Sequence, residues 1–466
     1  MASLTKTGPS ETSLLVRRKR LLRSQDLVES IGWLALLFVL VSFLVNGGLA
    51  GIKDLQTALG AIERISALVA TMLLLIQILL ISRVPWLDRL YGHDRATATH
   101  KKIGKPVLYL VILHVVAVIW SYSLNDGVGI IEEFLSLINI IPEVLLATIS
   151  LGLMITVVLA SINISRMKLS YEAWYLVHLL GYGAVMFAIP HQLIVGVDIT
   201  NNPINQGFWV AAYLFVGLNI IWFRLVSPIF LSGTHKLQVG KVVRESSDSV
   251  SITINGKKLD AFAAEAGQFF IVRFLTKSHW WRAHPFSLSA KPTDTAFRFT
   301  IGKRGDDTAI FQNITPGTKV ILEGPYGVFV DSRRTEDEVV LVAAGIGAPP
   351  IRALAESLEG TKSVNIIYRV RDADDAPLLS ELKELSQRKN YKLHVLDGSR
   401  RAEDSWLPKS VSSEVSDEQA LQQICPSIST ADVFICGPRE FTELFSKTLE
   451  KLGVPTERIH AEEFAW

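Results

Sequence analysis

The 466-residue sequence predicts a multidomain membrane protein: an all-α six-helix transmembrane bundle, an antiparallel β-barrel, and a Rossmann-like α/β domain. Three observations predict this. Of the 92 Asp, Glu, Lys and Arg residues, only 30 fall in residues 1–230 and the other 62 in residues 231–466. The charge-poor half contains six apolar stretches of bilayer length. In the charge-rich half, short alternating runs give way to strand–helix alternation. The average of 49% hydrophobic and 20% charged residues therefore describes neither half. The boundaries read as a basic tail over 1–26, a membrane domain over 27–230, a barrel over 235–335 and an α/β domain over 336–466.

The tail is polar, with Arg17-Arg18-Lys19-Arg20 well ahead of the first apolar stretch and no small-residue cleavage site after it. It reads as retained rather than as a signal peptide. The six spans are expected at about 31–51, 60–81, 103–123, 135–161, 172–195 and 207–228. Lys and Arg crowd the tail, the second connection and the fourth (Arg166, Lys168). The positive-inside rule then puts both termini in the cytoplasm of a multi-pass cell-membrane protein. The opposite loops are short and carry Asp126, Glu132, Glu133 and Asp198.

Four histidines fall in two of these spans: His100 and His114 in the third, His178 and His191 in the fifth. Ionisable groups at membrane depth are rare and usually functional. Fourteen residues of helix rise about 21 Å and turn back to nearly the same face, so His100 and His114 point alike at two depths. The third and fifth spans run in the same direction. His100 thus pairs with His178 and His114 with His191, and the pairs suit two haem irons stacked across the membrane. The thirteen-residue step to His191 is out of phase by this reckoning, and Pro190 is the expected cause of a helix distortion that corrects it. Arg64, near the outer end of the second span, is either a snorkelling residue or a cation beside a haem propionate or a reduced acceptor. Gly152, Gly181 and Gly183 read as close-packing positions.

The two cysteines, Cys425 and Cys436, exclude a four-cysteine iron–sulfur cluster and argue against a disulfide framework; no C-x-x-C-H run exists for covalent haem attachment. A net charge of +2 supplies no field for nucleic acid. No calcium-binding loop is seen, and nothing points to a particular protein partner.

From Leu237 the runs KVVRE, SVSITI, FFIVRF, FRFTIG and KVILEG predict the strands of the barrel. After residue 336, EVVLVAAGIGAPP, SVNIIYRV, YKLHVLDGS and ADVFICGP predict parallel strands of a nucleotide-binding sheet. Gly345 and Gly347 lie between a strand and a helix, where backbone N–H groups can approach a pyrophosphate.

HPFSLSA (284–290), GKRGDDT (302–308), EGPYG (323–327), GIGAPP (345–350) and CGP (436–438) resemble, in order, the flavin and nicotinamide domains of the ferredoxin–NADP reductase superfamily. With six spans and two histidine pairs, the chain from about residue 27 resembles the ferric reductase and NADPH oxidase family. The resemblance implies that His284, Pro285, Phe286 and Ser287 hold FAD, with Phe286 against the isoalloxazine and Ser287 near its hydride-accepting nitrogen. It assigns Gly302, Lys303 and Thr308 to the ribityl and phosphate part, and Gly345, Gly347 and Pro350 to the dinucleotide pyrophosphate. Cys436, Gly437 and Pro438 would lie beside the nicotinamide, although Cys436 also reads as a small buried hydrophobe. Trp466, or Phe464 in its place, would stack on the flavin. Arg371, Ser399 and Arg400 favour NADPH over NADH, since guanidinium groups suit a 2′-phosphate. The activity implied is electron transfer from cytoplasmic NADPH through FAD and two b-type haems to an external small molecule, a ferric chelate by preference or dioxygen in a superoxide-producing oxidase. Other readings are a haem-binding subunit feeding a partner protein, and a soluble-type reductase tethered by six helices.

Overall fold

The computed structural model describes residues 11–162, 168–277, 280–303, 308 and 310–463, and says nothing of the side chains of residues 11–15, 17, 18, 171 and 172. Arg166 and two candidate flavin-stacking residues, Phe464 and Trp466, lie outside the described residues. The chain divides into two compact units: residues 25–84 with 94–223, and residues 1–24 with 85–93 and 224–466.

The first unit is helical. Among the described residues six helices are long and apolar enough to span a bilayer: Lys19–Val45, Leu55–Leu80, His93–Asp126, Pro142–Ser161, Ala173–Val195 and Pro203–Thr234, the last continuing into the second unit. The apolar window expected at 135–161 is two helices, Ile130–Ile140 and Pro142–Ser161. Pro142 supplies no N–H and sits at the first position of the new helix, where that donor is not needed. Val39, Phe43, Leu68, Met72, Leu75 and Trp209 form the core of this unit, which draws on the first, second and sixth spans.

The barrel consists of two three-stranded antiparallel sheets, β1 (Gln238–Ser246), β2 (Ser249–Asn255) and β5 (Ala296–Gly302), and β4 (His284–Ser287), β3 (Phe269–Phe274) and β6 (Val320–Tyr326). Single bridges, Leu288 with Phe299 and Gln238 with Lys319, join the sheets on both sides. Ile252, Ile254, Phe270, Phe274, Phe297 and Phe299 alternate inward along their strands and fill the interior.

The α/β portion is a five-stranded parallel sheet in the order β11-β10-β7-β8-β9. Its strands are β7 (Glu338–Ala344), β8 (Ser363–Arg369), β9 (Lys392–Leu396), β10 (Asp432–Gly437) and β11 (Ile459–Glu463). β7, β8 and β10 are apolar and buried on both faces. The sequence reading missed β11, because IHAEE at a sheet edge carries no apolar run.

Asp432 at the start of β10 is fully buried. Its carboxylate accepts hydrogen bonds from Thr335 N (2.7 Å), Glu336 N (2.6 Å) and His460 Nε2 (2.9 Å), tying the barrel-to-sheet connection to both strands of that edge. Asp432→Ala strands these buried donors and is expected to destabilise the protein by about 3 kcal/mol. Thermal denaturation should show it as a fall in midpoint of roughly 8 °C.

Candidate functional site

The histidines come first, because the helices fix them. His100 and His178 have ring centroids 6.0 Å apart, and His114 and His191 have centroids 6.2 Å apart. Each pair joins the third and fifth spans, as the spacing predicts. An imidazole nitrogen sits about 2.0 Å from a bound first-row metal and about 1.1 Å from its ring centre, so two imidazoles on opposite sides of one iron have centroids about 6 Å apart. Both pairs fit that separation.

The second span orients the third-span rings. His100 Nδ1 lies 3.0 Å from the carbonyl oxygen of Gln77, and His114 Nδ1 lies 3.0 Å from that of Glu63. Gln77 is in the last turn of its helix, where carbonyls lack helical partners. When Nδ1 donates to a carbonyl, the bare nitrogen is Nε2, which is the tautomer that ligates a metal. His178 Nδ1 lies 3.2 Å from Ser161 Oγ. The Nδ1 of His191 is buried with no hydrogen-bond partner among the described residues. Sequence reasoning missed Glu63 and Gln77, since a backbone acceptor leaves no signature in residue type. Their separation of fourteen residues does match that of His100 and His114.

The helix carrying His178 ends at Pro190, and His191 begins a π-helical turn that runs to Val195. The His191 amide bonds the carbonyl of Ala188, three residues back. That tighter winding followed by a wider turn departs from ideal α phase at the place where the sequence required it. A Cβ added at Gly152 or Gly181 meets nothing within 4 Å, while one at Gly183 would lie 3.6 Å from Leu153 Cδ1 of the neighbouring helix, so of the three only Gly183 is a close-packing position.

Arg64 is held by Asp198. Its Nε is 2.8 Å from Oδ2 and its Nη2 is 2.6 Å from Oδ1, with a further bond from Nη2 to the carbonyl of Asn46 (3.1 Å). This bidentate pair neutralises an aspartate that the sequence reading counted as a free outer-loop charge. Glu133 is also buried, leaving Asp126 and Glu132 exposed.

In the soluble unit, β4 presents the HPFS residues. Ser287 is buried opposite Phe269, while Phe286 and His284 stack at 6.0 Å and 21°. Phe311, which the sequence did not single out, packs edge-on against both rings. The helix Pro85–Tyr91, read in sequence only as a basic connection, packs against β6. Gly327 N donates to Asp88 Oδ2 (2.9 Å), and His93 stands 6.0 Å from Tyr326 and 6.1 Å from Phe269.

The parallel sheet reverses its strand order between β7 and β10, and ligands of open α/β sheets bind at such a point. Gly345 and Gly347 follow β7 there, and Gly437 and Pro438 end β10. The backbones nearly touch: a Cβ on Gly347 would lie 2.1 Å from the Cys436 carbonyl oxygen. A Cβ on Gly302 of β5 would lie 2.8 Å from Ile346 Cγ1, so the barrel meets the same turn. Pro349 and Pro350 open the helix Ala348–Ser357 and supply no N–H, which leaves Pro350 a rigid first-turn residue rather than a phosphate donor. The Cys436 side chain is fully buried in the core, and burial pushes its thiol well above the usual range, so it stands there as a neutral thiol. Arg371 follows β8, and Ser399 and Arg400 follow the adjacent β9. Arg371 and Ser399 are exposed, and Arg400 lies 3.6 Å from Glu440. Lys303 is exposed at the end of β5, and Thr308 is half-buried beyond it.

Six apolar helices and a flavin- and nucleotide-type module define a membrane oxidoreductase. Comparison with known proteins agrees: residues 66–189 match a ferric reductase like transmembrane component, residues 236–330 an FAD-binding domain and residues 341–447 an oxidoreductase NAD-binding domain. These three matches bear out the resemblance to the ferric reductase and NADPH oxidase family. The ferredoxin reductase component of 3-ketosteroid-9-alpha-monooxygenase from Rhodococcus rhodochrous is 28% identical over 236 residues, covering 49% of this chain and 64% of that protein. Flavohemoprotein A from Dictyostelium discoideum is 24% identical over 252 residues, covering 50% and 60%. The chain thus spans less than two thirds of the length of these relatives. The solved FAD/NAD-binding domain of nitric oxide dioxygenase from Vibrio cholerae is 23% identical, covers 49% of this chain and 97% of its own, and superposes with a TM-score of 0.41.

Proposed function

We propose that the protein carries electrons from cytoplasmic NADPH, by way of FAD and two b-type haems, to a ferric chelate on the far side of the cell membrane. The observation that carries this reading is the pair of histidine pairs, at 6.0 Å and 6.2 Å, on two membrane-spanning helices. When bound, FAD supplies the conversion from two-electron to one-electron chemistry and the haems supply one-electron relays. His100 with His178, and His114 with His191, would each hold a haem iron, which would supply one-electron relay chemistry there. Phe286 and Ser287 position the flavin ring, and Gly302, Lys303 and Thr308 its ribityl and phosphate part. Gly345, Gly347, Gly437 and Pro438 let the dinucleotide approach the backbone at the β7–β10 reversal.

Arg371, Ser399 and Arg400 receive the 2′-phosphate of NADPH from the ends of β8 and β9. A charge-assisted hydrogen bond of about 1.5–3 kcal/mol makes Arg371→Ala raise KM for NADPH roughly tenfold to a hundredfold, with NADH kinetics unchanged. Equal use of NADH and NADPH by the unaltered protein would reverse the assignment.

Exposed Asp126 and Glu132 favour cationic iron over a neutral acceptor. Dioxygen is the alternative acceptor, and the Arg64 cation that would suit its anionic product is paired with Asp198. Purified protein supplied with NADPH and FAD separates the two. Ferric chelate reduction that superoxide dismutase does not inhibit is the expected result. Cytochrome c reduction abolished by that enzyme, at the rate of NADPH consumption, establishes the oxidase.

A further inference from the structure

The loop between β3 and β4 carries large apolar side chains into the open. Trp280 is 61% exposed and Trp281 is 50% exposed, within a barrel whose other aromatic residues mostly face the core. Basic residues flank the pair. Lys277 is exposed, and the Arg282 guanidinium lies 5.0 Å from the Trp281 ring centroid. Neither indole helps to fill the barrel, so packing does not account for two tryptophans here.

The strand register shows which pole of the barrel bears this loop. β3 ends at Phe274, opposite Val320 at the start of β6. Leu275 N donates to the carbonyl of Lys319 (2.9 Å), and Lys319 bridges to Gln238 at the start of β1. The chain reaches Gln238 from the helix Ser227–Thr234, which ends the sixth span and packs on β6, with Leu322 N donating to Ser232 Oγ (3.0 Å). The tryptophan loop and the entering span therefore share one pole. Ile229 and Phe230 on that helix are each 62% exposed, which carries apolar surface up to the barrel itself.

We propose that Trp280 and Trp281 form a membrane-interface anchor that seats on the phospholipid leaflet from which the sixth span emerges. Indole rings favour the headgroup–acyl boundary, where the ring is desolvated and its N–H still finds a partner. Lys277, exposed beside the pair, supplies a charge that suits lipid phosphate. β4 begins at His284, directly after this loop. The anchor therefore fixes the height and tilt of the HPFS strand against the bilayer, a constraint that one helix entering at a single point does not impose.

The test uses full-length protein in vesicles of equal parts phosphatidylcholine and phosphatidylglycerol. Trp280→Cys is labelled with bimane, while the native Cys425 and Cys436 are buried. Lys447→Cys, exposed on the α/β portion, serves as the control. Lipids brominated on the upper acyl carbons should quench the loop label at least twofold and leave the control unchanged, and aqueous iodide should do the reverse. Quenching of the loop label by iodide alone would show a loop in water. Shielding from both quenchers would show a protein occupant, the helical unit or a second copy. Either outcome overturns the proposal. Retained FAD absorbance reports folding, and if Trp280→Cys loses it, labelled Leu275→Cys provides the same readout.

Discussion

Replacing His114 by leucine is expected to leave the protein with one bound haem instead of two and to lower acceptor reduction by about a hundredfold or more. Loss of a group that merely orients a metal ligand already costs about 10–100-fold, so loss of the ligand itself sets the lower end of the effect. His114 cannot be replaced by a neighbour. Its ring is held by the Glu63 carbonyl at 3.0 Å and faces His191 at 6.2 Å. Leucine fills similar space without a nitrogen, so the helix should remain. The pair His100 and His178 lies fourteen residues away along the third span and is untouched, so one b-type haem should remain reducible by NADPH. Flavin reduction by NADPH should change less than about twofold, since additivity holds for distant sites. Haem stoichiometry of the purified variant, read beside flavin reduction, checks all three expectations.

Gly347→Ala is the second large effect, and it falls on the opposite half of the pathway. The added Cβ would lie 2.1 Å from the Cys436 carbonyl oxygen and 2.9 Å from Gly437 N. Both obstacles are backbone atoms of β10, which is paired with β7 on one side and β11 on the other, so neither can step aside without disturbing the sheet. The turn must move instead, away from the point where the dinucleotide binds. A displacement of about 1 Å at a reacting centre can cost about a hundredfold, and that is the expected fall in the rate of flavin reduction by NADPH. FAD should remain bound, because the HPFS strand lies in the barrel. Stopped-flow loss of flavin absorbance measures the step directly. A rate within twofold of the unaltered protein would show that the Gly347 turn does not position the nicotinamide.

The two variants exploit different degrees of legibility in the sequence. The spans were readable because bilayer thickness sets a length that the apolar runs display. The histidine pairs were readable because a helix converts sequence spacing into direction, and even the His191 discrepancy pointed to the place where Pro190 distorts the helix. The glycine turn was readable as a motif, but its tight fit against Cys436 depends on a strand about ninety residues later, which local pattern does not encode. The same limit hid the Glu63 and Gln77 carbonyls, the Asp432 knot and the packing of Pro85–Tyr91 on β6, all of which join backbone or polar groups distant in sequence. Asp198 shows the converse error. Its residue type suggested a free outer charge, and only the fold reveals Arg64 as its partner.

The central claim is that one chain holds both a nicotinamide-reducible flavin and two haems in its membrane half. The most direct test is an anaerobic NADPH-reduced-minus-oxidised spectrum of the purified full-length protein, with haem and flavin quantified on the same sample. Two b-type haems per FAD, both reduced by NADPH, is the result predicted. A spectrum without b-type bands, or with haem that NADPH does not reduce, would contradict the account.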